Sequence, residues 1–142
     1  MEPIPPDSYV RIRHDLDVVI ARRKVRELGA QVGLTEAAIA ALATAVTEIA
    51  QNIVVHAGGG DLSIRLVADS SRRGVVVIAR DNGPGIVDIA QALHDGHSTG
   101  AGLGFGLPSA QRLVDEFEIE STIGAGTTIT LRKWTSPAPR RE

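Results

Sequence analysis

The sequence predicts a two-layer α/β sandwich, in which a mixed, mostly antiparallel sheet is covered by helices on one face. Apolar residues recur at helical spacing up to about residue 57 and alternate with polar residues from residue 62 onward. The resulting order is one strand, two helices, two strands, a glycine-rich loop, a helix and two strands. A doubly wound sheet needs regular alternation of strand and helix, so this order favours helices on one face of a largely antiparallel sheet.

The N-terminal part is predicted to contain an edge strand and a helix. Residues 8–14 alternate as an edge strand does. The helix begins at a cap formed by Asp15 or Asp17, continues to about Val32 and stops at Gly33.

A second helix is predicted from the cap residue Thr35 to about Ala57, where three glycines at 58–60 end it. Its apolar residues repeat every three or four positions and are Ile39, Leu42, Val46, Ile49 and Ile53. Two strands follow, separated by a turn at 70–74. Residues 62–66 alternate as on a half-buried strand. Residues 75–81 form an apolar run, as in a strand covered on both faces.

The C-terminal part is predicted to hold a helix from about Leu107 to Phe117 and two short strands at 118–122 and 127–133. The chain of 142 residues suits a single domain. We place this domain at 8–134, between a flexible N-terminus at 1–7 and a disordered tail at 135–142.

Composition excludes several classes of function. The net charge is −2 and aromatic residues make up 3%, which does not suit a nucleic-acid surface. There is no cysteine, so neither a disulfide framework nor a thiolate metal site is expected. We see no apolar run for a membrane and no signal peptide, and a cytoplasmic protein is therefore expected.

Glu48 and Asn52 form a polar pair on the second helix. They are four residues apart and so share a face, roughly 100° from the centre of the apolar stripe. A carboxylate accepts a proton, and an amide oxygen is a suitable ligand for Mg²⁺. The alternative is that both are polar residues of a solvated helix face.

Asp81 ends the apolar strand and opens the segment DNGPG. Its carboxylate is placed to accept a hydrogen bond from an exocyclic amine such as that of adenine. Gly83 and Gly85 let the chain turn sharply and let a flat ring approach the backbone. The alternative is a Pro-Gly turn after a strand.

Two further motifs follow. Glycines at 100, 102, 104 and 106 directly precede a predicted helix, where backbone amides attract phosphate; a hinge or linker is the alternative. Gly126 makes a turn before Thr127 or Thr128, which places a hydroxyl at the start of the last strand. The alternative for these threonines is a simple preference for strand structure.

These motifs, in this order, resemble those of the GHKL ATPases, which share the Bergerat nucleotide-binding fold. Glu48 and Asn52 match the N-box, DNGPG the first glycine box, GAGLGFGL the second, and Thr127 the final threonine. The resemblance extends from about residue 8 to 133. Within this superfamily the chain is most similar to the serine/threonine switch kinases of bacterial stressosomes, and residues 93–117 are the most specific part.

The resemblance implies phosphoryl transfer from ATP to a serine or threonine of a STAS-domain partner, either an anti-sigma factor antagonist or a stressosome scaffold. Glu48 would be the catalytic base and Asn52 the Mg²⁺ ligand. Asp81, with Thr127, would bind adenine. The phosphates of ATP or ADP would be bound in the second glycine box by Gly100, Gly102, Leu103, Gly104, Phe105, Gly106 and Leu107. A downstream phosphatase is a further candidate partner.

Two other functions remain open at this point. One is an anti-sigma factor kinase that sequesters a sigma factor. The other is a nucleotide-dependent binding switch with little turnover. The loop at 86–106 contains no Lys or Arg, and His94 and His97 are its only side chains able to carry positive charge. The sequence does not decide whether His94, His97 or Phe105 act on the nucleotide. It also does not identify the partner or the oligomeric state.

Overall fold

The computed structural model describes residues 7–84 and 107–135. Their elements are β1 (Ser8–Ile12), α1 (Asp15–Val32), α2 (Glu36–Asn52) with a π-helical turn (Ile53–Ala57), β2 (Gly60–Ala68), β3 (Arg73–Asp81), α3 (Leu107–Leu113), β4 (Glu116–Thr122) and β5 (Gly126–Trp134).

The five strands form one sheet in the order β1-β2-β3-β5-β4, and each of the four pairings among them is antiparallel. The core lies between one face of this sheet and the helices. Its largest fully buried side chains include Ile12, Leu42, Ile49, Leu62, Ile64 and Leu131. The predicted two-layer sandwich, the edge position of β1 and the order of elements are confirmed. The sheet was expected to be mixed, but its pairings among the described strands are all antiparallel.

The first helix begins at Asp15, one residue before the start that a cap at Asp15 would give. Its N-cap residue is His14, and Asp17 reaches back to accept hydrogen bonds from the backbone N–H groups of Arg13 (2.8 Å) and His14 (3.0 Å). These bonds lower the pKa of Asp17. The prediction that Asp15 or Asp17 is the cap was therefore wrong. The stop at Gly33 is confirmed, because this glycine has a φ of 97°.

The cap of the second helix is as predicted, since the Thr35 hydroxyl accepts a hydrogen bond from the Ala38 N–H at 3.1 Å. The helix is regular as far as Asn52 and then widens into the π-helical turn, which the sequence did not predict. Such turns occur mostly as single-turn bulges within α-helices, and they are frequent at functional sites. Gly58, with a φ of 77°, ends the turn.

The segment Glu36–Ala57 is apolar enough, with a mean hydropathy of 1.6, to cross a membrane by length and composition alone. The expectation that the chain has no such run was therefore wrong. Leu42, Val46 and Ile49 on this segment are at most 2% exposed and belong to the core beneath the sheet. These residues form the buried face of the segment, of whose apolar window 39% is buried in the described structure.

Among the described residues, helices cover β3 on one face and not on both. Val75, Val77 and Ala79 are buried under the helices, whereas Val76 and Ile78, which point the other way, are half-buried. The prediction of a strand covered on both faces was wrong, because β-branched residues are also favoured on the half-open face of an antiparallel sheet.

The third helix is shorter than predicted and ends at Leu113. From Asp115 onward the chain already pairs with β5: the Asp115 N–H donates to the Arg132 carbonyl at 2.9 Å, and Phe117 lies opposite Leu131. Pairing with a distant strand therefore overrides the helical pattern that the sequence shows at 114–117.

Two glycines in the β4–β5 turn provide a matched test of backbone crowding. Gly124 and Gly126 both have positive φ, 82° and 110°. A Cβ on Gly124 would meet nothing within 4 Å, whereas a Cβ on Gly126 would collide with the carbonyl group of Asp81. We expect Gly124→Ala to lower the free energy of unfolding by about 1 kcal/mol and Gly126→Ala to lower it by at least about 3 kcal/mol. Urea unfolding measures both, and equal losses would contradict the crowding at Gly126.

Candidate active site

The candidate site lies where the ends of β2, β3 and β5 meet the C-terminal end of α2. Asp81, the last residue of β3, is opposite Gly60 of β2 on one side and Thr127 of β5 on the other. Gly60 follows the π-helical turn of α2 by only three residues. The sheet register therefore brings the end of α2, Asp81 and Thr127 together, as the predicted site requires.

Gly60 makes this junction possible. A Cβ at this position would overlap the carbonyl oxygen of Arg80 and lie 3.1 Å from the Cα of Asp81. Only a glycine lets the chain leave α2 and pair at once with the end of β3. The glycine triplet thus has two roles, since Gly58 ends the helix and Gly60 permits the close approach.

Asp81 is half-buried and has one oxygen already in use. Its Oδ1 accepts a hydrogen bond from the Gly83 N–H at 2.9 Å, which closes an Asx turn. No described residue donates to Oδ2. One oxygen therefore fixes the turn, and the other is able to accept a hydrogen bond from a ligand.

Gly83 is required for packing against α2. A Cβ on Gly83 would lie 2.8 Å from the Cβ of Ala57 and 2.9 Å from its Cα. Its φ is not positive, so a sharp turn is not the reason for glycine at this position. The sequence suggested that Gly83 lets a ligand ring approach the backbone. In the described residues, the group that approaches Gly83 is Ala57 of the π-helical turn.

Thr127 is 8% exposed and lies directly across from Asp81. Its Oγ1 is 2.9 Å from the Oγ of Ser121 on the adjacent strand β4. Sequence reasoning missed Ser121. The register of β4 on β5, which pairs Ser121 with Thr127, was the information needed to find it.

Glu48 is half-buried between α2 and α3. Burial raises the pKa of its carboxyl group, while a hydrogen bond from Ser109 and the positive charge of Arg112 partly offset that rise. Its Oε1 is buried and accepts no hydrogen bond from the part of the chain that the structure describes. The prediction that Glu48 flanks the core is confirmed, and sequence reasoning missed both Ser109 and Arg112.

Asn52 is the last residue of α2, half-buried and one turn beyond Glu48 on the same face. No group of three His, Cys, Asp or Glu side chains able to hold a metal occurs in residues 7–84 and 107–135. A single amide oxygen suits Mg²⁺, which commonly takes one or two protein ligands and completes its shell with phosphate oxygens and water. The residues present therefore fit this ion.

Most of the second glycine box falls outside the described residues. The same holds for one glycine of the first box and the loop histidines; these positions are Gly85, His94, His97, Gly100, Gly102, Leu103, Gly104, Phe105 and Gly106. Leu107 is described and begins α3 with its side chain 2% exposed. Only its backbone amide is thus available to a phosphate.

A cavity of about 230 Å³ opens beside the Asp81–Thr127 pair. Arg80, Glu120 and Thr128 also line it. These three residues alternate with the core-facing residues of their strands, so the cavity lies toward the face of the sheet opposite α1, α2 and α3. Asp81 and Thr127, the two residues predicted to bind adenine, are among the residues that line it.

Comparison with known proteins agrees with this geometry. Residues 13–133 match the family model for the histidine kinase-like ATPase domain. The chain is 44% identical over 127 residues to the serine/threonine-protein kinase RsbT of Bacillus subtilis (strain 168), covering 89% of this chain and 96% of RsbT. It is 33% identical over 120 residues to an anti-sigma F factor of Thermoanaerobacter sp. (strain X514), covering 80% of this chain and 82% of that factor.

Two solved structures share the fold. The RsbU and RsbW domains of Rv1364c from Mycobacterium tuberculosis align with a TM-score of 0.62 at 24% identity, over 94% of this chain and 34% of that longer chain. The mycobacterial sensor histidine kinase MprB aligns with a TM-score of 0.54 at 17% identity, over 92% of this chain and 99% of the MprB chain. The fold, the matched span and the 44% identity to RsbT together establish that the chain belongs to the histidine kinase-like ATPase domain family and is a relative of its serine/threonine kinases.

Proposed function

We propose that this protein is an ATP-dependent serine/threonine protein kinase of a bacterial partner-switching pathway, and that it phosphorylates a STAS-domain partner in the cytoplasm. The observation that carries the proposal is the Glu48 carboxylate, one helical turn from Asn52: its buried Oε1 has no hydrogen-bond partner among residues 7–84 and 107–135. The 44% identity to the kinase RsbT supports the reaction class.

In the proposed reaction Glu48 acts as a general base. It removes the proton of the acceptor hydroxyl, the hydroxyl oxygen bonds to the γ-phosphorus of ATP, and ADP leaves with the bridging oxygen. The raised pKa of Glu48 brings the group nearer to neutral pH, where a base is most effective. Positioning and charge neutralisation supply the rest of the rate enhancement.

The remaining residues bind the nucleotide. Asp81 offers Oδ2 to the adenine amine, with Thr127 beside it. Asn52 would hold Mg²⁺, and the ion would neutralise phosphate charge. The rest of the nucleotide site consists of Gly83, Gly85, the glycine box up to Gly106 and the backbone amide of Leu107.

A second candidate follows from the anti-sigma F factor relatives, of which that of Thermoanaerobacter sp. (strain X514) is 33% identical to the chain. In that case the protein would bind a sigma factor and also phosphorylate an antagonist. Incubating the protein with labelled ATP, Mg²⁺ and each STAS-domain protein and sigma factor of the same genome tests both. Label on a STAS-domain protein supports kinase activity, and stable capture of a sigma factor supports the second candidate. Nucleotide-dependent binding of a STAS-domain protein without transfer supports the binding switch instead.

The Mg²⁺ assignment can be tested by nucleotide binding. ADP should bind more tightly with Mg²⁺ than with a chelator, and Asn52→Ala should bring the two dissociation constants to within about twofold of each other, because the only described metal ligand is lost. Gln51→Ala, at the exposed neighbouring position, is the control. Equal affinity with and without Mg²⁺ in the unmodified protein would exclude the metal site.

The adenine assignment can be tested with Asp81→Asn. The amide oxygen can still accept the bond from Gly83, so the fold should persist, but the other position becomes a donor and repels the adenine amine. We expect ATP affinity to fall by about tenfold and discrimination against GTP to weaken. Calorimetry measures both nucleotides. Asp15→Asn, the same change at an exposed position at the start of α1, serves as the control. Unchanged ATP affinity in Asp81→Asn would make Asp81 purely structural.

The base assignment can be tested with Glu48→Gln, which keeps the shape of the side chain and loses proton acceptance. Nucleotide affinity should stay within about threefold, and phosphorylation of the partner should fall by about 100-fold or more. Glu27→Gln, on the exposed face of α1, is the matched control. Transfer at the unmodified rate in Glu48→Gln would leave Glu48 with a structural role only.

A further inference from the structure

The hydroxyl of Thr127 belongs to a short chain of hydrogen bonds that leads away from Asp81. Its Oγ1 is 2.9 Å from the Oγ of Ser121. That serine oxygen is in turn 3.3 Å from the carbonyl oxygen of Gly126, to which it donates. Among the described residues, the Thr127 hydroxyl has no hydrogen-bond partner other than Ser121. Ser121 therefore determines how this hydroxyl can interact with anything else.

The sheet register explains why these groups meet. One row across β2, β3, β5 and β4 contains Gly60, Asp81, Thr127 and Ser121 in turn. Residues directly opposite each other on antiparallel strands point to the same face, with their Cβ atoms about 5 Å apart. Ala79, two positions before Asp81, belongs to the core, so this row points toward the helices. The carboxylate of Asp81, the hydroxyl of Thr127 and that of Ser121 thus lie side by side.

The number of protons fixes the direction of the chain. A carbonyl oxygen only accepts, so the Ser121 hydroxyl donates its single proton to Gly126. The Ser121 oxygen then offers only lone pairs to Thr127, and Thr127 donates its own proton to Ser121. The reverse direction, with Ser121 donating to Thr127, would give one hydrogen bond instead of two. The Thr127 oxygen therefore presents lone pairs, and no proton, to a ligand.

We propose that Ser121 is a positioning residue for nucleotide specificity. By accepting the proton of Thr127, it fixes the Thr127 oxygen as a hydrogen-bond acceptor, and the site then favours a purine with a 6-amino group over one with a 6-oxo group. The inference rests on the proposed function, since Thr127 meets a purine only if ATP binds beside Asp81.

Two acceptors at this place match the chemistry of adenine. Oδ1 of Asp81 is held by the Gly83 N–H, and Oδ2 receives no hydrogen bond from the described residues. The exocyclic amine of adenine carries two N–H donors, whereas a 6-oxo group only accepts. A hydroxyl free to rotate would donate to a 6-oxo group as readily as it accepts from an amine. Ser121 removes that freedom, so a 6-oxo purine leaves polar groups of the site unpaired.

The first test compares the binding of ATP and ITP, the triphosphate of a 6-oxo purine, by calorimetry with Mg²⁺. The unmodified protein should prefer ATP. Ser121→Ala should lower the ratio of ATP affinity to ITP affinity about threefold to tenfold, the worth of one hydrogen bond between neutral groups. Ser121→Thr keeps a hydroxyl and should retain most of the preference. Ser63→Ala, the same change on the opposite face of β2, is the matched control.

A purely structural role for Ser121 predicts a different result. Damage to the end of the sheet would weaken ATP and ITP binding alike, and the ratio of the two affinities would stay at its unmodified value. Equal weakening of both nucleotides in Ser121→Ala therefore overturns the inference. Equal affinity for ATP and ITP in the unmodified protein overturns it as well.

A double-mutant cycle shows whether Ser121 acts through Thr127. Thr127→Val keeps the shape of the side chain and removes the hydroxyl, so it should lower the ratio of ATP affinity to ITP affinity by itself. Ser121→Ala should change the ratio no further in this background, because the group that it positions is gone. Thr130→Val, on the opposite face of β5, is the matched control. A further fall in the ratio in the Thr127→Val background overturns the inference.

Neutron diffraction from the nucleotide-free protein keeps this inference distinct from the proposed function. The hydroxyl deuteron of Thr127 should point at Ser121, and that of Ser121 should point at the carbonyl of Gly126. A Ser121 deuteron that points at Thr127 overturns the inference even if the protein is an active kinase. The expected deuteron positions and the expected nucleotide preference, in a protein that transfers no phosphate, support the inference and refute the proposed kinase activity.

Discussion

The close approach of three backbone segments around the end of β3 is the constraint on which the site depends. Gly60 lies against the carbonyl of Arg80, Gly126 against the carbonyl of Asp81, and Gly83 against Ala57. A side chain at any of these glycines would push apart the elements that meet there. Asp81, Thr127 and the end of α2 are neighbours because these three positions carry no Cβ.

The opposite end of the sheet is held together in a different way. The guanidinium carbon of Arg72 lies 3.7 Å from the ring centroid of Trp134. The Nε1–H of Trp134 donates a hydrogen bond to the Glu116 carboxylate at 2.8 Å. Arg132 pairs with Glu116 and Glu118. Side-chain contacts thus stabilise the packing of β3, β4 and β5 at the end remote from the site. At the site end, the strands are held together by close backbone approaches at glycines.

The two acidic residues of the site have environments that suit different tasks. Asp81 uses one oxygen to close its own turn and keeps a fixed orientation for recognition. Glu48 is half-buried, has a raised pKa and leaves Oε1 unpartnered, which suits proton transfer. The difference arises from position, because Asp81 ends a strand while Glu48 is covered by α3.

The sequence by itself determined the features that depend on neighbouring residues. The cap at Thr35, the stop at Gly33 and the shared face of Glu48 and Asn52 follow from local backbone preference and helical periodicity. The strand ends at Asp81 and Thr127 were also predictable, because turn residues adjoin them. The spacing of these motifs sufficed to recognise the family.

Tertiary structure alone decided the features that join distant parts of the chain. Phe117 was expected in a helix and lies in β4, because pairing with Leu131 outweighs local propensity. Ser109 is 61 positions from Glu48, and no local pattern specifies that the two meet. The uncovered face of β3 and the pairing of Ser121 with Thr127 likewise depend on which strands become neighbours. Packing and sheet register set such contacts, and neither is encoded within a single segment.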